Sequence, residues 1–116
     1  QRMVRTLRYI YTELPEMVVR PADAYQQMVR GEVESVPVSA LAGRLSAVML
    51  VPYPPGIPVI MPGERFPLDN SYIADYLAAA IELEEQFPGF ANDIHGLRME
   101  QFDGQVNWRV DCLIEG

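Results

Sequence analysis

The stretch that reveals most about this chain reads Val51-Pro52-Tyr53-Pro54-Pro55-Gly56-Ile57-Pro58-Val59-Ile60-Met61-Pro62-Gly63-Glu64. Six of the ten prolines of the chain lie between Pro52 and Pro67. Each proline restricts φ and removes a backbone donor, so this segment cannot form a helix or a regular central strand. Gly56 and Gly63 allow turns or a close approach of another backbone segment. Because most of the other residues are apolar, we predict a stiff, extended and mostly buried loop that is shaped to fit another surface.

The composition indicates one ordinary globular domain. With 116 residues, 49% hydrophobic and 22% charged, the chain is of the size and polarity of a single soluble domain. No apolar run approaches the ~20 residues that are needed to cross a membrane. The single cysteine, Cys112, excludes an internal disulfide and predicts a cytoplasmic protein. The net charge of −7, with no arginine in residues 66–97, disfavours nucleic acid and anionic membranes as partners.

Three helices are predicted from apolar spacing and from their end signals. The first covers residues 3–14 and ends at Pro15. The second has Pro21 in its first turn and ends at Gly31. The third starts after a cap at residues 69–71, ends before Pro88-Gly89, and has one apolar face, formed by Tyr72, Ile73, Tyr76, Leu77, Ala80 and Ile81.

Strands are predicted from short apolar or β-branched runs. Residues 33–38 read as an edge strand because they contain Pro37, residues 47–51 as a strand buried on both faces, and residues 59–61 as a shorter strand. Asp103-Gly104 predicts a type I′ hairpin turn, which pairs Met99 with Trp108 and Gln101 with Val106. The predicted fold class is therefore α+β, with a small mixed or antiparallel sheet covered on one face by two or three helices.

The central part of the chain resembles a known family. The run from Gly43 through Gly63-Glu64 is similar to the C-terminal domain of the bacterial ornithine/lysine/arginine decarboxylases, which are pyridoxal-phosphate enzymes. Arg20-Pro21-Ala22-Asp23-Ala24-Tyr25, Phe87-Pro88-Gly89-Phe90 and Asp93-Ile94-His95-Gly96 follow in the order that the resemblance implies. Members of the family are several times longer, so we interpret residues 1–116 as a single domain of a longer protein, with residues 1–18 as a candidate trailing helix of a preceding domain.

The resemblance implies decarboxylation of arginine, lysine or ornithine, with pyridoxal phosphate as the cofactor of the full-length enzyme. This chain has no lysine, so it offers no amine to hold the cofactor covalently, and we expect the isolated chain to bind none and to be inactive. The implied partners are the preceding cofactor-binding domain of the same polypeptide and further copies of the enzyme in a dimer-based oligomer. The domain would shape the entrance of the active site, with Tyr53 and Glu64 as candidate substrate-channel residues.

Other interpretations stay open at this point. Glu64 could be an exposed turn residue paired with Arg65, and Tyr53 could be an ordinary buried tyrosine. The chain could also be a stand-alone acidic interaction module that docks a basic partner. A hydrolase that uses Cys112 and His95 is disfavoured, because a thiol on the apolar face of a hairpin is inert, and we interpret His95 as a structural turn residue. No motif of the sequence predicts a metal site or a catalytic residue.

Overall fold

The computed structural model describes residues 15–52, 56–68, 72–87 and 94–115, and these form an α+β fold. In chain order, the elements are β1 (Glu16–Met17), α1 (Pro21–Val29), β2 (Val33–Pro37), a 3₁₀ turn (Val38–Ala40), β3 (Val51–Pro52), β4 (Glu64–Arg65), α2 (Tyr72–Gln86), β5 (Ile94–His95), β6 (Arg98–Phe102) and β7 (Gln105–Leu113). One sheet has three strands in the order β2-β7-β6, and β1–β4 and β3–β5 form two smaller ladders. The pairings of these strands are antiparallel, which confirms the predicted fold class.

The β6–β7 hairpin is confirmed in type and in register. Asp103 and Gly104 have φ values of 53° and 78°, and a type I′ turn requires a positive φ at both central positions. Met99 lies opposite Trp108, as the alternation of side chains predicted. The buried side chains of this face lie on the second half of β7, at Trp108, Val110 and Cys112. The tip of the hairpin therefore extends into solvent, while its base belongs to the core.

Both helices that lie within the described residues are confirmed. Helix α1 starts with Pro21 in its first turn, where the missing N–H costs no hydrogen bond. Helix α2 buries the predicted face through Ile73, Tyr76, Leu77 and Ala80. The predicted helix over residues 3–14, the capping residues 69–71 and Pro88-Gly89 lie outside the described residues.

The predicted strand over residues 47–51 is wrong, although the predicted edge strand over residues 33–38 is confirmed as β2. The Ser46 hydroxyl donates to the Val48 carbonyl at 2.6 Å and accepts from the Val48 N–H at 3.2 Å. Such a bond between a side chain and the nearby backbone competes with strand pairing, and here it bends the chain. The short strand predicted over residues 59–61 is wrong as well, since it is reduced to one bridge between Ile60 and Leu50.

The core consists of two clusters, and β7 contributes to both. The larger cluster joins α2 to the three-stranded sheet through residues such as Val36, Val110 and Cys112. The smaller cluster contains Ala24 of α1, Leu45, Ala47 and Leu113. Because successive side chains of a strand point to opposite faces, Cys112 and Leu113 lie on opposite sides of β7. The two helices thus contribute to different clusters.

Of the helices that the structure describes, none has both the length and the apolarity that crossing a membrane requires.

Candidate functional site

The candidate site is the proline-rich loop, residues 52–64, and above all residues 61–64, which we call the exit turn. The exit turn is closed twice by the same pair of residues. The Glu64 N–H donates to the Met61 carbonyl at 3.0 Å, and the Met61 N–H donates to the Glu64 carboxylate at 2.6 Å. A carboxylate that accepts a backbone N–H forms a stronger hydrogen bond than a neutral acceptor does. The hydrogen bond from Met61 therefore both closes the turn and fixes the orientation of the Glu64 carboxylate.

Gly63 attaches the exit turn to two other parts of the chain. Its N–H donates to the Ser46 carbonyl at 2.8 Å, and its carbonyl accepts the N–H groups of Val18 and Val19, both at 3.0 Å. Gly63 has a φ of 90°, and a Cβ at this position would lie 1.9 Å from the Val19 carbonyl oxygen. Only glycine fits, because any side chain would overlap the neighbouring backbone. The predicted close approach is confirmed at Gly63.

The other end of the loop is attached through β3. Val51 and Pro52 pair with His95 and Ile94 of β5, and the Pro52 side chain is fully buried. The Gly56 N–H donates to the Pro52 carbonyl at 2.7 Å, with a φ of 79° at Gly56. Both ends of the loop are therefore held by backbone hydrogen bonds to the body of the domain, which agrees with the stiffness expected from its prolines.

The two predicted channel residues have different outcomes. Tyr53 lies outside the described residues. Glu64 is half-buried on β4 and is not paired with Arg65, so that alternative is wrong. The Arg65 guanidinium instead donates to the Gly43 carbonyl at 2.6 Å and to Glu115 at 3.1 Å, because consecutive strand residues point to opposite sides. The role of both residues toward a substrate stays a prediction.

The geometry disfavours a thiol nucleophile. Cys112 is fully buried, and burial raises the pKa of its thiol to about 11. At neutral pH the thiol is therefore protonated and inaccessible, and a protonated thiol is a poor nucleophile. His95 lies on β5 with an exposed side chain, and Asp93 is outside the described residues.

The charges of the described residues are distributed unevenly. Each described arginine forms a salt bridge with a carboxylate of the same chain, namely Arg20 with Asp23, Arg30 with Glu32, Arg44 with Glu34, Arg65 with Glu115, Arg98 with Asp111 and Arg109 with Glu100. Helix α2 carries Asp75, Glu82, Glu84 and Glu85 but no basic residue. Of the two helices that the structure describes, α2 is therefore the more acidic.

Two neighbouring cavities lie beside α2, away from the exit turn. One, of about 350 Å³, lies between the 3₁₀ turn, residues 66–68 and α2, and the other, of about 330 Å³, lies against the Trp108 side of the sheet. Both are lined by Val38, Ser39 and Ala78 and are mainly apolar. Neither lining includes a residue of the exit turn, so Glu64 does not line these cavities.

Sequence reasoning missed two residues that hold the site in place. Ser46 pairs with the exit turn through both of its backbone groups, and a serine in an apolar run carries no sequence signal for that role. Gly96 has a φ of 96°, and a Cβ there would lie 2.5 Å from the Met49 carbonyl oxygen. The glycine after His95 was a sequence signal for a close approach of another backbone segment, although it did not identify Met49 as that segment.

Comparison with known proteins places this chain in a family. Residues 4–114 match the family model described as the C-terminal domain of the Orn/Lys/Arg decarboxylases. The chain is 50% identical over 111 residues to a lysine decarboxylase of Pseudomonas aeruginosa, a match that covers 96% of this chain and 15% of that protein. It is 40% identical over 100 residues to the constitutive lysine decarboxylase of Escherichia coli, covering 86% of this chain and 14% of that protein.

A solved structure agrees with these matches. Lysine decarboxylase A from Pseudomonas aeruginosa superposes with a TM-score of 0.84 at 50% sequence identity, over 94% of this chain and 15% of that chain. The chain thus spans about 15% of the length of the relatives that it matches. The family resemblance of the proline-rich loop is confirmed over nearly the whole sequence, and the chain belongs to the family of ornithine/lysine/arginine decarboxylase C-terminal domains.

Proposed function

We propose that this chain works as the C-terminal domain of a pyridoxal-phosphate-dependent decarboxylase of basic amino acids, in which it shapes the entrance of the active site and contributes to subunit packing. The observation that carries the proposal is the family match over residues 4–114. Lysine is the first substrate to test, because the relatives described above are lysine decarboxylases. The single buried thiol suits a reducing cytoplasm.

The residues that the structure describes do not fit the cofactor itself. There is no lysine to bind its aldehyde covalently. The six described arginines, which could otherwise bind its phosphate, are all engaged by carboxylates of the same chain. When bound elsewhere in the longer enzyme, such a cofactor would supply an electron sink for the decarboxylation. We infer that the cofactor is bound by another part of the longer polypeptide, and that this domain acts through the shape and charge of the route to it.

In this proposal the exit turn supplies a fixed negative charge at the route to the active site. Its backbone is held from two sides through Gly63, and its carboxylate is held by the Met61 N–H. A negative charge on a stiff turn attracts a substrate with a cationic side chain at little cost in ordering. In this proposal Glu64 lies at the channel, and Tyr53, eleven residues earlier on the same loop, lines it.

The experiment is Glu64→Gln in the full-length enzyme. The amide oxygen of glutamine can still accept the Met61 N–H, so the turn is kept while the charge is removed. At a separation of about 4 Å in water, one unit charge contributes roughly 1 kcal/mol, so we expect KM for lysine to rise about fivefold. The value of kcat should change little, because the carboxylate does not take part in the chemical step.

Glu100→Gln is the matched control, because it removes the same charge from the exposed β6 strand and should leave KM unchanged. An unchanged KM in Glu64→Gln would remove Glu64 from the channel. If the unaltered full-length protein released no carbon dioxide from lysine, arginine or ornithine, the decarboxylase proposal would fail. The acidic surface of α2 would then favour the stand-alone interaction module as the function.

A further inference from the structure

Helix α1 has an apolar stripe that is not covered by the residues that the structure describes. Tyr25 lies three or four residues from each of the other members, so the five share one face: Pro21, Ala22, Tyr25, Met28 and Val29. Tyr25 is 61% exposed and Val29 is 67% exposed, although both are large apolar side chains. The buried side of the helix is carried by Ala24 alone. A surface helix normally turns its apolar stripe toward the core, and here the stripe is rotated away from it.

The charged residues at the two ends of the stripe are paired with each other, so that each end has no net charge. Arg20 pairs with Asp23 at 3.1 Å, and Arg30 pairs with Glu32 at 3.0 Å. The hydrogen bond with Glu32 raises the pKa of Arg30, and the same bond lowers the pKa of Glu32. An apolar strip with a neutralised polar rim has the composition of a protein–protein contact that needs no oppositely charged partner.

We propose that this stripe packs against the part of the same polypeptide that precedes the domain in the longer enzyme, an inference that rests on the proposed function. The chain spans 15% of the relatives that it matches and belongs to their C-terminal domain, so most of such a polypeptide precedes it. A stable interface between free molecules takes about 20 residues on each side, and the stripe has five. A contact that small is sufficient between tethered parts, because the tether keeps their effective concentration high.

The test compares two cysteine variants of one helix in the intact full-length enzyme. Val29→Cys lies on the stripe, and Asp23→Cys is an exposed position of α1 that has no stripe residue three or four positions away. Reaction with a maleimide is followed by mass spectrometry of the peptide that carries residues 21–29. We expect Val29→Cys to react at least tenfold more slowly than Asp23→Cys in the native enzyme, and equally fast after unfolding. Equal rates in the native enzyme would overturn the proposal.

Two further measurements test which partner covers the stripe and do not depend on one variant alone. Protection of Val29→Cys that is lost on dilution to nanomolar enzyme would assign the stripe to a second copy and overturn the chosen occupant. In the unaltered enzyme, peroxide should oxidise Met28 at least fivefold more slowly than Met99, which is 52% exposed on β6. Equal oxidation of the two methionines would contradict the proposal, and this result does not require the cysteine variants to fold. Carbon dioxide release by the same unaltered enzyme tests the proposed function separately.

Discussion

The exit turn and the tip of the β6–β7 hairpin both reverse the chain at a glycine with positive φ, but the two glycines are required for different reasons. Around Gly104 a Cβ would meet nothing within 4 Å, so glycine serves only the backbone conformation of its own turn. At Gly63 a Cβ would lie 1.9 Å from the Val19 carbonyl oxygen, so glycine also makes room for a distant segment. The hairpin tip is held by local contacts alone, whereas the exit turn is held by local hydrogen bonds and also by contacts to distant segments.

This difference predicts which of the two turns tolerates substitution of its glycine. The hairpin tip is surrounded by solvent, and Met99 and Val106 near it are about half exposed. The exit turn exchanges backbone hydrogen bonds with Ser46, Val18 and Val19. We therefore expect the same substitution to have unequal effects in the two regions.

The largest effect is expected for Gly63→Ala. The new methyl group would overlap the Val19 carbonyl, and alanine at this φ adds backbone strain, so we expect the free energy of unfolding to fall by at least about 3 kcal/mol. Gly104→Ala is the control in the other region, where strain alone should cost about 1 kcal/mol. Urea unfolding of both variants measures the difference. Equal losses would show that the exit turn is no more constrained than the hairpin.

A smaller effect is expected for Gly56→Val at the other end of the proline-rich loop. Gly56 has a φ of 79°, which a β-branched residue adopts poorly, and its N–H closes a turn onto Pro52. We expect a loss of about 2 kcal/mol, seen as a lower melting temperature and a disturbed oligomer profile of the enzyme. A variant with the melting temperature and oligomer profile of the unaltered protein would mean that the loop adjusts freely.

The smallest effect is expected for the free energy of unfolding contributed by Cys112, at the buried base of the hairpin, and it appears only at high pH. Burial raises the pKa of the Cys112 thiol from its ordinary 9.0 to about 11, so the folded state keeps its proton when the unfolded state has lost it. The stability contributed by the neutral buried thiol is complete below pH 9 and is lost as the pH rises from about 9 to about 11. The difference in unfolding free energy between the unaltered protein and Cys112→Ala should therefore shrink over this range. A difference that is equal at pH 8 and pH 10.5 would contradict the assignment.

Prediction from the sequence succeeded where the information is local. The start of α1 at Pro21, the buried face of α2 and the register of the β6–β7 hairpin depend on neighbouring residues and on side-chain period. The proline-rich loop was likewise identified from the restricted backbone of its prolines and glycines.

Prediction failed where segments far apart in the chain meet. Residues 47–51 do not form the predicted strand, because Ala47 and Leu50 bond to two different segments, at Asp111 and Ile60, and not to one partner strand. The pairing of β1 with β4 involves two residues on each side, too few to leave a periodic pattern. For the candidate site, the sequence identified Glu64 but neither the Met61 N–H that orients it nor the side to which it points.

The sequence by itself determined the family, the α+β class, the two described helices and the hairpin, because each of these depends on local backbone restriction, on period or on a specific motif. Only the tertiary structure decided that Gly63 accommodates the Val19 backbone, that Ser46 pairs with the exit turn, and that α1 turns its apolar stripe away from the core. These features depend on which distant surfaces come into contact, and local backbone preference carries no information about the partner.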